Sequence, residues 1–267
     1  VLELAENQSS LLSAAKFDQN YNSQYSYIAK VGYPMGMMYG FIYEGTYKYE
    51  DFDKVGDTYT LKRNVPYFSS ESNTQPGMPK YADLNGDGII DDNDRTMIGN
   101  GMPKHTGGFT NNFEYKGFDL SIFFQWSYGN DVLNANRLFF ENSNKTRDLN
   151  QYASYADRWT PENPESNIPR ATDSGSNKVF STRIIEDGSF LRLKTVSLGY
   201  TLPKQLTKKW KIDNARVFVA GQNLWTCTGY SGYDPEVSIR EGALTPGLDF
   251  SAYPRAYSIS FGINLGF

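Results

Sequence analysis

The oxygen-bearing residues between positions 83 and 94 are spaced as in a calcium-binding loop. Asp83, Asn85 and Asp87 stand at loop positions one, three and five. Ile89 offers its backbone carbonyl at position seven, Asp91 stands at nine and Asp94 at twelve. Calcium is a hard cation that takes carboxylate, amide and carbonyl oxygens, and Gly88 supplies the sharp turn such a loop needs. A glutamate usually closes the loop with both oxygens. Asp94 is one methylene shorter, which makes two-point closure harder. A turn rich in Asp, Asn and Gly that holds no ion has a similar composition. The strict spacing favours calcium, in the structural role of pinning a long loop. The flanking helices of an EF-hand are not evident.

Other chemistry is poorly provided for. A single histidine, His105, leaves no zinc site or histidine-based triad. It lies in Pro103-Lys104-His105-Thr106-Gly107, which reads as a loop leading into a strand. The lone Cys227 forms no internal disulfide. Carboxylates are plentiful, but none sits in an apolar context that would tune it for acid–base work. No glycine-rich phosphate loop precedes a helix. A net charge of -4 with no basic block argues against nucleic acid as partner. An enzyme is not expected, and a hydrolase has only scattered carboxylates behind it.

The elements that would position these residues are strands. Tyr257, Ile259, Phe261, Ile263, Leu265 and Phe267 alternate with Ser258, Ser260, Gly262, Asn264 and Gly266. That is period two, the period of a strand. Phe118, Leu120, Ile122, Phe124, Trp126 and Tyr128 repeat the pattern, with Phe123 out of phase. Phe109, Phe113 and Tyr115 precede them, and Lys116-Gly117 joins the two runs as a tight turn. Three further strands are expected at Met35–Tyr47, Leu191–Leu202 and Ala215–Thr228. Within Leu191–Leu202 simple alternation puts Arg192 and Lys194 on the face of Val196, Leu198 and Tyr200, so these cations should lie above any hydrocarbon zone.

The connections alternate in length. Residues 49–106, 130–189 and 230–253 are long, whereas 116–117 and 203–214 are short. Barrels of outer membranes have long external loops and short periplasmic turns. Aromatics fall near both strand ends, at the levels where membrane girdles form: Trp126 and Tyr128 at one, Tyr115, Phe118 and Tyr200 at the other. No apolar run is long enough for a transmembrane helix, and a barrel needs none. About six strands are too few to close, since the smallest membrane barrels have about eight. Open edges in lipid leave backbone groups unpaired, so more strands must come from elsewhere. A soluble β-sandwich shows the same alternation. The alternative reading is therefore a secreted, calcium-stabilised sandwich that binds carbohydrate or adhesive partners.

Within the long loops, Arg147 to Trp159 reads as a short helix ending before Pro161. Tyr152, Tyr155 and Trp159 could stack on sugar rings, although such residues more often pack a loop on itself. Tyr230, Tyr233 and Trp225 carry the same two readings. Lys204, Lys208, Lys209 and Lys211 form a solvated cluster in a short turn.

Several segments, in order, resemble the SusC/RagA family of TonB-dependent outer-membrane transporters. They are Gly32-Tyr33-Pro34-Met35-Gly36 with Tyr39-Gly40, the stretch Asp83 to Gly99, Tyr115 to Ser121, Phe190 to Lys194, Gly221-Gln222-Asn223-Leu224, Tyr233-Asp234-Pro235-Glu236 and Pro254-Arg255-Ala256-Tyr257 with the terminal Phe267. Each piece is weak, but the ordered set is specific and spans about residues 24–267. The resemblance implies an all-β, antiparallel transmembrane barrel of about 22 strands, of which residues 1–267 would supply the C-terminal segment. It also implies an N-terminal plug absent from this chain, and TonB acting through that missing part. A SusD-like lipoprotein lid, outer-membrane lipid and an oligosaccharide or peptide substrate complete the implied partners. The opening Val1-Leu2-Glu3-Leu4, which is no export signal, is what a piece of a longer exported protein would show.

Overall fold

The computed structural model describes residues 10–12, 26–30, 32–141, 150–171, 179–239 and 242–267. The chain divides into two compact units. One gathers residues 1–102, 131–186 and 237–252; the other gathers 103–130, 187–236 and 253–267.

The second unit is a five-stranded sheet among the described residues. Its strands are β1 (His105–Tyr115), β2 (Phe118–Tyr128), β3 (Phe190–Thr201), β4 (Asn214–Thr228) and β5 (Ser258–Gly266). They lie side by side in chain order, every pair antiparallel. The β1–β2 turn puts Lys116 at φ 47° and Gly117 at φ 88°. Two consecutive left-handed residues match the twist of the strands they join. A Cβ on Gly117 would meet the Thr201 carbonyl at 2.8 Å, so close approach to β3 also demands glycine here. The other short connection holds a helical turn at Lys204–Thr207 and a 3-10 turn at Lys208–Trp210, closed by Lys211 at φ 57°.

Strand β3 corrects one expectation. Thr195 pairs with Phe123, but Leu193 pairs with the very next residue, Phe124. The extra residue is a β-bulge, and a bulge reverses which face each later side chain takes. Leu191 and Leu193 thereby join the face of Val196, Leu198 and Tyr200. Arg192, opposite Gln125, turns to the polar face instead of sharing the apolar one. His105 is also corrected: it is the first residue of β1, not a loop residue, and its ring stacks on Tyr128 at 5.0 Å. Its Nδ1 accepts a hydrogen bond from Trp126 Nε1 at 3.2 Å.

The first unit is built from short strands of two to five residues. Its largest buried cluster joins Tyr27, Met38, Leu133, Ala135, Leu138, Phe180, Ile184 and Leu248. Those residues come from all three of its chain segments, which explains why no single stretch shows a strong apolar period. A parallel pairing of Leu133–Asn134 with Leu248–Asp249 stitches two of the segments together. Phe41, Tyr81, Ile90 and Val179 form a second cluster, and Tyr47, Phe52 and Leu61 a third.

The expected strand Met35–Tyr47 is not one strand. Met37–Gly40 pairs with Thr96–Asn100, and Tyr43–Thr46 pairs with Pro79–Tyr81. Phe41 leaves the line between them and exchanges backbone hydrogen bonds with Phe180 and Thr182. Gly45 at φ 107° then shifts the register of the second piece. The Tyr- and Met-rich run therefore builds the core of the first unit and adds no sixth strand to the five-stranded sheet. Residues 49–106, expected as a loop, hold several short strands of their own. Within the expected helix Arg147–Trp159, residues 147–149 lie outside the described residues, and Ala153–Asp157 is a 3-10 turn.

Candidate functional site

The sheet of the second unit has two unlike faces. On one face the register aligns Phe113 with Leu120, Leu120 with Leu198, Leu198 with Val219 and Val219 with Phe261. The next row aligns Tyr115, Phe118, Tyr200, Val217 and Ile263. Nearer the other end the same face carries Phe109, Phe124, Leu193 and Trp225, with Asn111 the polar interruption in β1. These side chains are not buried. Phe261 is 81% exposed, Ile263 68% and Ile259 56%. A contiguous exposed apolar surface of this size needs an apolar neighbour. A sandwich core would bury these residues, so the sandwich alternative does not hold.

The opposite face is polar. Thr110, Asn112, Glu114, Asp119, Ser121, Gln125, Thr195, Ser197, Gln222, Ser260 and Asn264 lie on it. Phe123, Phe190 and Phe218 are its aromatic exceptions, and the rings of Phe123 and Phe218 each cover a glycine. Phe123 lies over Gly108, where a Cβ would come within 2.7 Å, and Phe218 lies over Gly262. Arg216 donates from Nε to Asp119 Oδ1 at 2.9 Å, and its Nη2 pairs with the second carboxylate oxygen.

A second charged group lies near the other end of the polar face. Arg192, 2% exposed, donates to Asp234 at 2.6 Å, to Glu236 at 3.2 Å and to Thr226 Oγ1 at 3.1 Å. Arg255 approaches the same two acids at 3.8 and 3.2 Å, and Lys194 lies 3.8 Å from Glu236.

The acidic loop of the first unit is closed by its own hydrogen bonds. Asp83 accepts from the Gly86 and Gly88 amides, Asn85 Oδ1 from Asp87 N, Asp87 from Ile89 N, and Asp91 from Asn93 N. Gly88 takes φ 85°, the turn its position called for. Asp94 is fully buried. Its Oδ1 accepts from the Leu84 and Asn85 amides and its Oδ2 from Asp91 N. Among the described residues no three Asp, Glu, His or Cys side chains converge as a metal-holding group. Asp94 thus braces the loop from behind, a role that spacing alone did not reveal.

Four of the six loop aromatics follow their packing reading. Tyr155 and Trp159 are buried, and Trp159 sits between Gly77, the Tyr49 ring and the Arg170 guanidinium. Tyr152 lies against Phe140 and Tyr230 is buried, while Tyr233 and Trp225 are exposed. The described residues contain no helix long and apolar enough to cross a membrane, which says nothing of a barrel.

No family model matches the chain. Individual relatives do. TonB-dependent receptor P3 of Formosa agariphila is 34% identical over 247 residues, covering 90% of this chain and 23% of that protein. TonB-dependent receptor SusC of Bacteroides thetaiotaomicron is 28% identical over 198 residues, covering 74% of this chain and 18% of that protein. A structure of the RagAB peptide transporter superposes with a TM-score of 0.68 at 26% identity, over 91% of this chain and 24% of that one. The chain belongs to the SusC/RagA family of TonB-dependent receptors. It spans about a quarter or less of the length of these family members. Such receptors are outer-membrane proteins, which places this chain in the outer membrane. Its SusC/RagA relatives are receptors and transporters, not enzymes.

Proposed function

We propose that residues 1–267 are the C-terminal segment of a TonB-dependent nutrient importer. The five-stranded sheet is part of the wall of a closed barrel of about 22 strands. The observation that carries this reading is the exposed apolar face of the sheet set back to back with a polar one. Only a wall between lipid and water suits both, and closure removes the unpaired edges of β1 and β5. On this reading Tyr115, Phe118 and Tyr200 sit at the periplasmic interface and Trp126, Tyr128 and Trp225 at the external one. Residues 131–186, between β2 and β3, and 237–252, between β4 and β5, are external connections. The plug and the TonB contact belong to the rest of the same protein.

Single cysteines in the full receptor in bilayers test the wall. Labels at Leu120, Ile122, Ile259 and Ile263 are expected to meet a lipid-dissolved quencher, and labels at Ser121, Gln125 and Ser260 a water-soluble one. Labels at Ile259 and Ile263 shielded from both quenchers would overturn the proposal.

The substrate is an oligosaccharide or a peptide, taken in under a SusD-like surface lipoprotein. The SusC and RagAB likenesses support this range. Loss of growth on one of the two nutrient classes, in a strain lacking the receptor, identifies which. Failure of the solubilised receptor to co-purify with a lipoprotein would remove the lid.

The Asp83–Asp94 loop is proposed to hold a structural calcium ion through Asp83, Asn85, Asp87, the Ile89 carbonyl and Asp91, braced by Asp94. The spacing and the left-handed Gly88 support it. A calorimetric titration of calcium into metal-stripped receptor that released no heat would sink it.

A further inference from the structure

We infer that Arg192 is an electrostatic clasp that ties to β3 the residues flanking 237–252, Asp234 and Glu236 before it and, through them, Arg255 after it. The bulge in β3 turns its guanidinium onto the polar face, where it is almost wholly buried. A guanidinium cannot be neutralised at ordinary pH, so in that position it must be paired. Its partners, Asp234 and Glu236, are the last residues before the segment leaves the second unit. Arg255, just after the chain returns at Tyr253, reaches the same two carboxylates from the other side. Departure and return therefore share one pair of acids, and Arg192 joins that pair to β3. Thr226 Oγ1 on β4 accepts from Arg192 Nε and fixes the plane of the fork.

The neighbouring excursion, residues 131–186, is closed differently. Gly188 N donates to the Asn130 carbonyl at 2.8 Å, Gly129 N to Ser189 Oγ at 2.9 Å, and Thr228 Oγ1 to the Ser189 carbonyl at 2.8 Å. That base uses neutral groups. The base of 237–252 relies on charge pairs, each of which can be removed by one isosteric substitution. Removing Arg192 takes away the buried cation and its 2.6 Å pairing with Asp234, leaving the two acids to Arg255 and to Lys194 at 3.2–3.8 Å, while the strand ladders stay whole. Arg192 is a positioning residue for the segment.

Nitroxide labels in the full receptor test the clasp, one at the exposed Ser238, two residues past Glu236, and one at the exposed Glu162 of the other excursion. Arg192→Met is expected to narrow the spectrum at 238 and leave that at 162 unchanged, with the strand signature in circular dichroism retained. No change at 238, or equal mobilisation at both positions, overturns the inference. Should Arg192→Met fail to assemble, Arg255→Met carries the same test from the half-exposed side of the group. Mobilisation at 238 alone supports the clasp, and an unchanged spectrum refutes it.

Discussion

Arg216 on β4 reaches Asp119 on β2 across the intervening strand β3, passing over Gly199. Nε to Oδ1 is 2.9 Å, and a Cβ on Gly199 would collide with both partners. The three residues work as one unit, a bridge across three strands whose span must carry no side chain.

Gly199→Ala is accordingly expected to displace the pair and to cost about 1–3 kcal/mol, the usual range for overpacking a tight site. Urea unfolding of the full receptor in detergent measures it. The conservative Ala220→Gly on the same face of β4 serves as the control, and an equal loss in both would show that the bridge is not special.

The two faces of the sheet should respond oppositely to charge. Phe261→Lys places an ammonium on the apolar face midway along β5 and costs about 2–4 kcal/mol. Ser260→Lys on the polar face changes stability by only about 0.5 kcal/mol. Reversible folding into lipid vesicles gives both numbers.

Asp94 should matter to the acidic loop even without an ion. Asp94→Ala leaves three amides near a buried site without their acceptor, at about 1–3 kcal/mol. Hydrogen exchange at Leu84, Asn85 and Asp91 in chelator-treated receptor should accelerate together. Asp87→Ala, at the exposed loop tip, removes the acceptor of the Ile89 amide, so exchange should speed there and not at Leu84, Asn85 and Asp91.

The first unit should resist alkali and then fail. Burial pushes the phenols of Tyr27, Tyr43, Tyr47 and Tyr81 well above the ordinary 10.0. A raised folded-state value means that the neutral phenol is the form the fold prefers. Its contribution is fully present below the unfolded value of about 10 and is lost as pH rises through the folded one. Tyrosinate absorbance should therefore appear with unfolding of this unit and not before it. Early titration of these phenols in folded protein would contradict the burial.

Part of this architecture is legible residue by residue. The alternation from Tyr257 to Phe267 and from Phe118 to Tyr128, and the Lys116-Gly117 turn, are local patterns, and the strands and hairpin form where those patterns stand. Simple alternation puts Arg192 on the wrong face because a bulge leaves no mark in composition: it arises where the hydrogen-bond partners of β2 and β3 fall out of step. Met35–Tyr47 differs from its expected single strand because its alternation is real, but Gly40 and Gly45 let the chain leave a straight line toward partners far along the sequence. For Asp94 the spacing says where the carboxylate stands and not that the Leu84, Asn85 and Asp91 amides donate to it.

The sequence by itself determined that the chain is β-rich, that its long strands carry one apolar and one polar face, and that it resembles the SusC/RagA family. Those properties follow from period two and short turns, which depend only on neighbours along the chain. The tertiary structure decided that the connecting segments fold into a core of their own, that Arg192 faces the polar side, and that Asp119 and Arg216 meet over Gly199. Each of these depends on which distant segments share hydrogen bonds and buried area, and that choice is made by the whole chain at once.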